Sequence, residues 1–415
     1  MASEEGEDIL ADVSDVETQE DWEYAGLEAI DKACLEIYPD QINPLQATAV
    51  VKFWLGGPDP LDYISIYSNN GDVDRGIPPH WHYVSYGFSD LYGDNRVHKY
   101  SGSGLPSGYG FEMTMRLKKC GNESAPPMWP SGLMNRLANY VFQTGNTLHV
   151  GDHVPWHKPL DGCEESLVQH MLVAKDPQLH ELHSPYGNLD FRQVVGVTND
   201  EMKAAQRWKG AGVLELMSSS KGVGPYFITD LGRKQSIFEA EAGLIGKVNE
   251  GINIDGSNLG HVTAICKWED VNSSVLDVEN VDDNQEPECL EGVHLMFDSE
   301  SADLLPMVIR GRLQKGRFFV FHNAENHTIH LIPAEFHEEG IYVNQTEPLK
   351  AQGSYLQIFC SNTLLEKMSE ELECLHDRPC DSRNYPREFR FTDPTLIITV
   401  SPRGTLIGEE SLGTI

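Results

Sequence analysis

Histidines are the residues of this 415-residue chain whose spacing could most directly support chemistry. His80 and His82 are separated by one residue, so on a β-strand both imidazoles would face the same side. Asp152, His153 and His157 could supply further ligands, and the set would suit a zinc-dependent hydrolase. Pairs of this kind are also common on strands that bind no metal, so structural or surface hydrogen bonding is the preferred interpretation.

The sequence carries no recognised catalytic or nucleotide-binding signature. It contains neither a GxxxxGK[ST] phosphate-binding loop nor a GxSxG nucleophile turn. The glycine-rich residues 102–110 follow none of the nucleotide-binding spacings and predict a flexible hairpin loop. We therefore expect no enzymatic activity, no cofactor and no bound metal. A metal-dependent hydrolase built on His80 and His82 is the alternative.

Charge and cysteine content limit the classes of partner and compartment. Acidic residues outnumber basic ones by 64 to 31, so the formal net charge is −33. Phosphates would be repelled, which argues against direct binding to nucleic acid and favours a basic partner.

Residues 1–26 are acidic, predict disorder and lack the features of a secretory signal. No apolar run reaches the roughly eighteen residues of a membrane span. Eight cysteines without a CxxC pair indicate reduced thiols.

Apolar periodicity predicts the helices and strands that must position these residues. Helical spacing predicts helices over residues 27–38, 132–143 and 363–375. Another helix is predicted to begin at Thr198, where Glu201 completes a capping box. Short or alternating apolar runs predict strands at residues 147–150, 261–268, 293–297, 306–313, 317–321, 328–332, 355–359 and 395–400. The predicted fold class is α+β, with two mixed α/β domains joined by a short linker.

A polar, turn-like joint at residues 255–258 marks the predicted domain boundary. The first domain then spans residues 27–258, and the smaller, strand-rich second domain spans residues 259–415. Residues from about 270 to 290 carry many carboxylates and no Lys or Arg. They predict a disordered acidic insertion in the second domain.

Several segments together resemble one family. They include NPLQATAVVKFWLGGPDPLDY from Asn43, HWHYVSYGFSDLYGDNRVH from His80, YVFQ from Tyr140, GDHVPWHKPLD from Gly151 and DGSNL from Asp255. The similarity extends over roughly residues 27–360. In these segments the chain resembles the Suppressor of fused family, intracellular negative regulators of Hedgehog signalling. Its acidic insertion is shorter than that of better-known members, so it resembles an invertebrate member.

The resemblance implies a function in binding and not in catalysis. Members of this family bind a Gli-type, or Cubitus interruptus-like, zinc-finger transcription factor and repress transcription. Their two domains clamp a Ser-Tyr-Gly-His-Leu segment, which adds as a β-strand in the cleft between them. The resemblance implies the same partner here, in cytoplasm and nucleus. It also implies a Fused-type kinase and a kinesin-like scaffold as further partners, with no nucleic acid or membrane bound directly.

The resemblance also implies which residues contact the partner. Tyr140 and Asp152 match the phenol and the carboxylate that hold the histidine of the bound segment. A carboxylate accepts strongly from an imidazole N–H, and a phenol can donate or accept at the other ring edge. Glu300 could balance a basic residue of the partner or simply be solvated. The full implied set is Tyr140, Leu148, Asp152, Gln178, Val262, Ala264, Glu300 and Leu304.

Ordinary structural roles remain open for these residues. Tyr140 could simply pack its helix, and Asp152 could cap the turn at Gly151. Val262 and Leu304 could belong to the core, because apolar strand residues usually face inward. A scaffold without a peptide groove is therefore a third interpretation, beside the adaptor and the hydrolase.

Overall fold

The computed structural model describes residues 24–121, 123–272, 286–324, 327–375, 385–402 and 405–406. The chain divides into two compact units. The first comprises Met1–Ala205 with Gly210–Leu244, and the second comprises Gln206–Lys209 with Ile245–Ile415. The sequence interpretation placed its boundary at residue 258. The two segments predicted to be disordered, residues 1–26 and about 270–290, lie mostly outside the described residues.

The first unit is built around an eight-stranded sheet. Its strands are β1 (Leu45–Thr48), β2 (Tyr63–Asn69), β3 (His80–Tyr86), β4 (Pro106–Lys118), β5 (His153–Pro155), β6 (Val168–Lys175), β7 (Leu182–Ser184) and β8 (Gly187–Thr198). Their order across the sheet is β1-β2-β3-β4-β8-β6-β5, and β7 pairs with β8. The strand pairings are antiparallel except for that between β4 and β8. The sheet therefore ends at β1 on one side and at β5 on the other.

Helices cover both faces of this sheet. The first helix, α1 (Ala25–Ile37), and the second, α2 (Trp129–Thr144), belong to two different apolar clusters. Tyr83 of β3 packs in the cluster that contains the α2 side chains, whereas the adjacent Val84 packs in the cluster that contains those of α1. Because successive strand residues face opposite sides, both faces of β3 are buried.

Four further helices follow the sheet along the chain: α3 (Asn199–Arg207), α4 (Gly210–Ser219), α5 (Ile237–Ala240) and α6 (Gly243–Asp255). The capping box predicted at Thr198 is confirmed. The Thr198 N–H donates to Oε2 of Glu201 at 2.8 Å, and the Glu201 N–H donates to the Thr198 hydroxyl at 3.5 Å. Among the described residues, no helix is long and apolar enough to cross a membrane.

The second unit contains two sheets. The four-stranded sheet has the order β10-β12-β18-β17, and the six-stranded sheet has the order β11-β15-β16-β14-β13-β9. The strands are β9 (His261–Thr263), β10 (Cys266–Asp270), β11 (Glu288–Cys289), β12 (Gly292–Asp298), β13 (Phe319–His322), β14 (Thr328–Pro333), β15 (Leu349–Gln352), β16 (Tyr355–Cys360), β17 (Arg387–Thr392) and β18 (Thr395–Ser401). Its helices include α7 (Ser299–Ala302), α8 (Leu305–Gly311) and α9 (Asn362–Glu371). The mixed α/β fold class is confirmed.

Two strand predictions in the second unit were wrong. Residues 306–313 were predicted as a strand, but they lie mainly in α8. Leu305, Val308 and Ile309 face the core at the spacing of a helix, and Pro306 sits in the first turn, where its missing N–H costs nothing. Residues 261–268 form two strands, not one, because β9 joins the six-stranded sheet and β10 joins the four-stranded sheet.

Candidate partner-binding site

Tyr140 lies near the C-terminal end of α2, which is predicted correctly as a helix but begins at Trp129. The tyrosine is 47% exposed. The side-chain amide of Asn146 donates to its phenolic oxygen at 3.3 Å. Gly145 ends the helix with a φ of 74°, a conformation that favours glycine. The phenol is therefore presented to solvent and is not packed beneath the helix.

Asp152 holds the turn that leads into β5. Its Oδ2 accepts from the backbone N–H of His149 at 2.7 Å, and its own N–H donates to the His149 carbonyl at 2.9 Å. Gly151 within this turn has a φ of 96°. Asp152 therefore caps the turn at Gly151, which is the structural role considered for it from the sequence. Its side chain is nevertheless 46% exposed, so the carboxylate remains accessible to a partner.

His149 is a polar neighbour of Asp152 that the sequence interpretation missed. Its Nδ1 lies 3.7 Å from Asp152 Oδ2, and its Nε2 lies 3.3 Å from the Thr147 hydroxyl. The signal available in the sequence for this contact was a histidine three residues before an aspartate, with a glycine between them. The carboxylate proposed to hold an imidazole of the partner therefore already has an imidazole beside it.

Leu148 does not lie on a strand, so the prediction of a strand over residues 147–150 was wrong. The segment is a loop between α2 and β5. The Leu148 side chain is only 7% exposed and packs in the apolar cluster of α2. Its carbonyl accepts from Arg192 of β8. These contacts let Leu148 anchor the loop that carries His149 and Asp152.

Gln178 joins a buried polar network. Its side-chain oxygen accepts from Arg116 Nη2 at 3.0 Å, and its N–H donates to Asp176 Oδ1 at 2.9 Å. Arg116 and Asp176, both inaccessible to solvent, pair through contacts of 2.6 and 3.0 Å. Burial would raise the pKa of Asp176, but the Arg116 guanidinium and His82 hold that pKa well below its usual value. We call Arg116, Asp176, Gln178, Gln193, Thr114 and His82 the Arg116 cluster.

The candidates of the second unit fall on β9 and on the helices that follow β12. Val262 on β9 and Ala264 just after it are both partly buried against the second apolar core. Leu304 precedes α8 and packs against the same core. Glu300 lies in the first turn of α7 and is exposed. The three apolar residues thus pack against the core of the second unit, and Glu300 lies at the surface.

His80 and His82 are both completely buried on β3. Nδ1 of His80 lies 2.8 Å from the Pro78 carbonyl oxygen, and Nδ1 of His82 lies 3.0 Å from the Tyr38 hydroxyl. Within the described ranges no three His, Cys, Asp or Glu side chains are arranged to hold a metal ion. The hydrolase alternative therefore gains no support from the geometry.

The stability of the chain is expected to fall as the pH drops below 6.5. Burial lowers the pKa of His80 from 6.5 to about 3, and burial with the nearby Arg116 lowers that of His82 to about 4. Both imidazoles stay neutral in the folded chain, whereas the unfolded chain takes up protons. The stability present above pH 6.5 is therefore lost progressively as the pH falls toward these values, by about 1.4 kcal/mol per pH unit for each histidine.

Urea denaturation at pH 7 and pH 5 measures this loss. His82→Asn is expected to reduce the difference between the two free energies of unfolding, because one proton-binding group is removed from the unfolded chain. His180→Asn is the matched control, since His180 is exposed. A pH dependence that is equal in wild type and His82→Asn would contradict the prediction.

Comparison with known proteins shows which family this chain resembles. Residues 57–234 match the model described as Suppressor of fused protein (SUFU). Residues 275–400 match the model described as Suppressor of Fused Gli/Ci N terminal binding domain. The chain is 39% identical over 447 aligned residues to the Suppressor of fused homolog of Mus musculus, covering 91% of this chain and 92% of the relative.

Solved structures agree with the sequence matches. The crystal structure of Drosophila Suppressor of Fused is similar with a TM-score of 0.69 and 31% identity, covering 91% of this chain and 97% of that one. A chain of the Sufu-Fu complex crystal structure is similar with a TM-score of 0.52 and 45% identity, covering 55% of this chain and 97% of that one. The chain therefore belongs to the Suppressor of fused family, the negative regulators of Hedgehog signalling.

Proposed function

We propose that this chain binds and sequesters a Gli-type, Cubitus interruptus-like transcription factor through a Ser-Tyr-Gly-His-Leu segment that adds as a β-strand. Sequestration represses Hedgehog-dependent transcription, in the cytoplasm and the nucleus, without enzymatic activity. The observation that carries the proposal is the position of β5, which ends the eight-stranded sheet and directly follows Asp152. An edge strand beside an accessible carboxylate suits recognition of an extended peptide.

The backbone of β5 has one hydrogen-bonding side directed away from the sheet. The Val173 carbonyl of β6 accepts from the Gly151 N–H, and the Val173 N–H donates to the Asp152 carbonyl. In the register that follows, His153 lies opposite Leu172 and Val154 lies opposite Met171. Because bonded pairs alternate in an antiparallel ladder, the N–H and C=O of His153 point outward. Proline is typical of such edges, and Pro155 occupies the next outward position.

Asp152, directly before this edge strand, and Tyr140, on α2, carry groups that suit a histidine of the partner. The Asp152 carboxylate would accept from an imidazole N–H, and the Tyr140 phenol would donate to or accept from the other ring nitrogen. Both side chains are about half exposed, so binding would desolvate them only on contact with the peptide. This arrangement would make the histidine the central determinant of recognition.

The second unit offers its own edge. β9 ends the six-stranded sheet and runs parallel to β13. Gly260 and Ala264 bond to β13 through their backbone, so the intervening His261 and Thr263 direct their N–H and C=O groups to the open side. The match of residues 275–400 to a Gli/Ci-binding model supports a contribution from this unit.

The proposal of further partners rests on relatives of this chain. A solved complex named Sufu-Fu contains a chain that is 45% identical to this one, which supports a Fused-type protein as a second partner. A kinesin-like scaffold stays a prediction from the family resemblance. We propose no direct contact with nucleic acid or membrane.

Titration of the full chain with a fluorescent Ser-Tyr-Gly-His-Leu peptide tests the proposal. Saturable binding is expected, with a large loss when the peptide histidine is replaced by alanine and no binding of a scrambled peptide. Equal binding of the histidine and alanine peptides would contradict the role given to Tyr140 and Asp152.

Methylation of single peptide amides tests strand addition itself. Each methyl group removes one backbone hydrogen bond, so each is expected to weaken binding by about 1 kcal/mol, roughly fivefold. If both units contribute an edge, methylation of two consecutive amides should weaken binding at either position, because neighbouring amides point to opposite sides. An effect at alternate positions only would assign the peptide to a single edge. Unchanged affinity at every position would contradict strand addition.

A further inference from the structure

A cavity of about 580 Å³ lies in the first unit, away from the partner-binding residues described above. The loop before β3, the end of β4 and the turn after α4 form its walls. Its lining includes Arg75, Pro78, Lys118, Ser218, Lys221 and Arg233. Its volume falls within the roughly 300–1,000 Å³ of pockets that bind small molecules.

The charge of this cavity is opposite to that of the chain. Four of its lining residues are cations, and Asp230 is the one carboxylate among them. The whole chain has 64 acidic residues and 31 basic residues. A local excess of positive charge in so acidic a protein would concentrate anions at this position.

Two of the four cations already have carboxylate partners. Lys118 Nζ lies 2.7 Å from Asp230 Oδ2. Arg233 pairs with the buried Glu201, with 2.6 Å between Nη1 and Oε1. These two ion pairs leave little of the charge of Lys118 and Arg233 for a ligand.

The side chains of the other two cations have no carboxylate partner among the described residues. Their backbone N–H groups do contact carboxylates: that of Arg75 donates to Asp72 Oδ1 and that of Lys221 to Glu241 Oε1, each at 3.1 Å. The Arg75 guanidinium donates to the Tyr226 hydroxyl at 3.3 Å and lies over the same ring. Lys221 is exposed at the start of the turn after α4. Its neighbour Gly222 lacks a side chain, so a ligand can approach the backbone closely there.

We propose that this cavity binds a phosphate-bearing ligand, with Arg75 and Lys221 as the contacting cations. A guanidinium contacts phosphate through two parallel N–H groups, and an ammonium adds a compact positive charge. The Arg75 side chain is held by Tyr226, so less freedom is lost when it contacts the ligand. The proposal stands independently of binding to the transcription factor.

Calorimetric titration of the full chain with pyrophosphate, at low ionic strength, tests the proposal. Saturable binding is expected, and Arg75→Ala combined with Lys221→Ala should weaken it at least tenfold. Lys32→Ala combined with Lys175→Ala is the charge-matched control, because both lysines are exposed on the same unit outside the cavity. No binding by the wild type, or equal losses in the two double variants, would overturn the proposal.

Asp230→Asn supplies a test in the opposite direction. The substitution frees Lys118 from its ion pair, so it should strengthen pyrophosphate binding severalfold. Weaker or unchanged binding would overturn the assignment of the cavity.

A phosphoserine peptide and its unphosphorylated form identify the source of the phosphate. Stronger binding of the phosphopeptide than of pyrophosphate would support a protein-borne phosphate, the reverse order would support a free one, and equal binding of the two peptides would count against phosphate recognition.

Discussion

Replacing Arg116 with alanine is expected to lower the free energy of unfolding by about 3–5 kcal/mol. The guanidinium and the Asp176 carboxylate are both inaccessible to solvent. The substitution leaves that carboxylate buried without its cation, and Gln178 and Gln193 each lose a donor as well. Urea denaturation at pH 7 measures the change.

Lys118→Ala is the matched control for Arg116→Ala. Lys118 lies two residues further along β4, and its Nζ is 2.7 Å from Asp230. Its side chain is 41% exposed, so water screens this pair and its loss should cost less than about 1 kcal/mol. Similar losses in both variants would show that burial of the Arg116 pair does not govern its contribution.

Asp152→Ala is expected to weaken binding of the Ser-Tyr-Gly-His-Leu peptide at least tenfold. A hydrogen bond between the carboxylate and an imidazole of the partner is worth roughly 1.5–3 kcal/mol when water is excluded. The melting temperature should fall only slightly, because the turn hydrogen bond that is lost, from the His149 N–H to Asp152, is made by a side chain that is 46% exposed. Peptide titration and thermal denaturation of the same sample give both values.

Asp152→Asn separates the charge of this residue from its role in the turn. The amide oxygen of asparagine can still accept from the His149 N–H, so the turn is retained while the negative charge is lost. A loss of affinity close to that of Asp152→Ala is expected. Glu164→Gln removes an exposed charge from the same unit and should leave binding unchanged. Wild-type affinity in both Asp152 variants would remove this residue from the site.

The apolar pattern of the sequence was sufficient to predict helices that have one buried, apolar face and one exposed, polar face. α1, α2 and α9 were predicted because their buried residues recur at three- and four-residue intervals. The capping box at Thr198 was predicted because its two partners lie within one helical turn. The same pattern misassigned α8, whose short run of apolar residues fits a strand and a helix equally well.

The chemistry of the candidate site was only partly accessible from the sequence. Motifs matching the family predicted Tyr140 and Asp152 as partner contacts, and both side chains are accessible to solvent. The position of His149 beside Asp152 depends on the turn at Gly151, where a positive φ folds the chain back on itself. Composition and spacing do not report such a conformation at a particular glycine.

The sequence alone determined the family, the mixed α/β class, several helices and some strands of the second unit, because these depend on local periodicity and on motif identity. Only the tertiary structure decided that Leu148 is buried, that β5 and β9 end their sheets, and that residues 261–268 divide between two sheets. It also decided the pairing of Arg116 with Asp176, which are 60 residues apart. Alternation along a strand shows which residues share a face, but the neighbouring strand and the depth of burial follow from long-range packing.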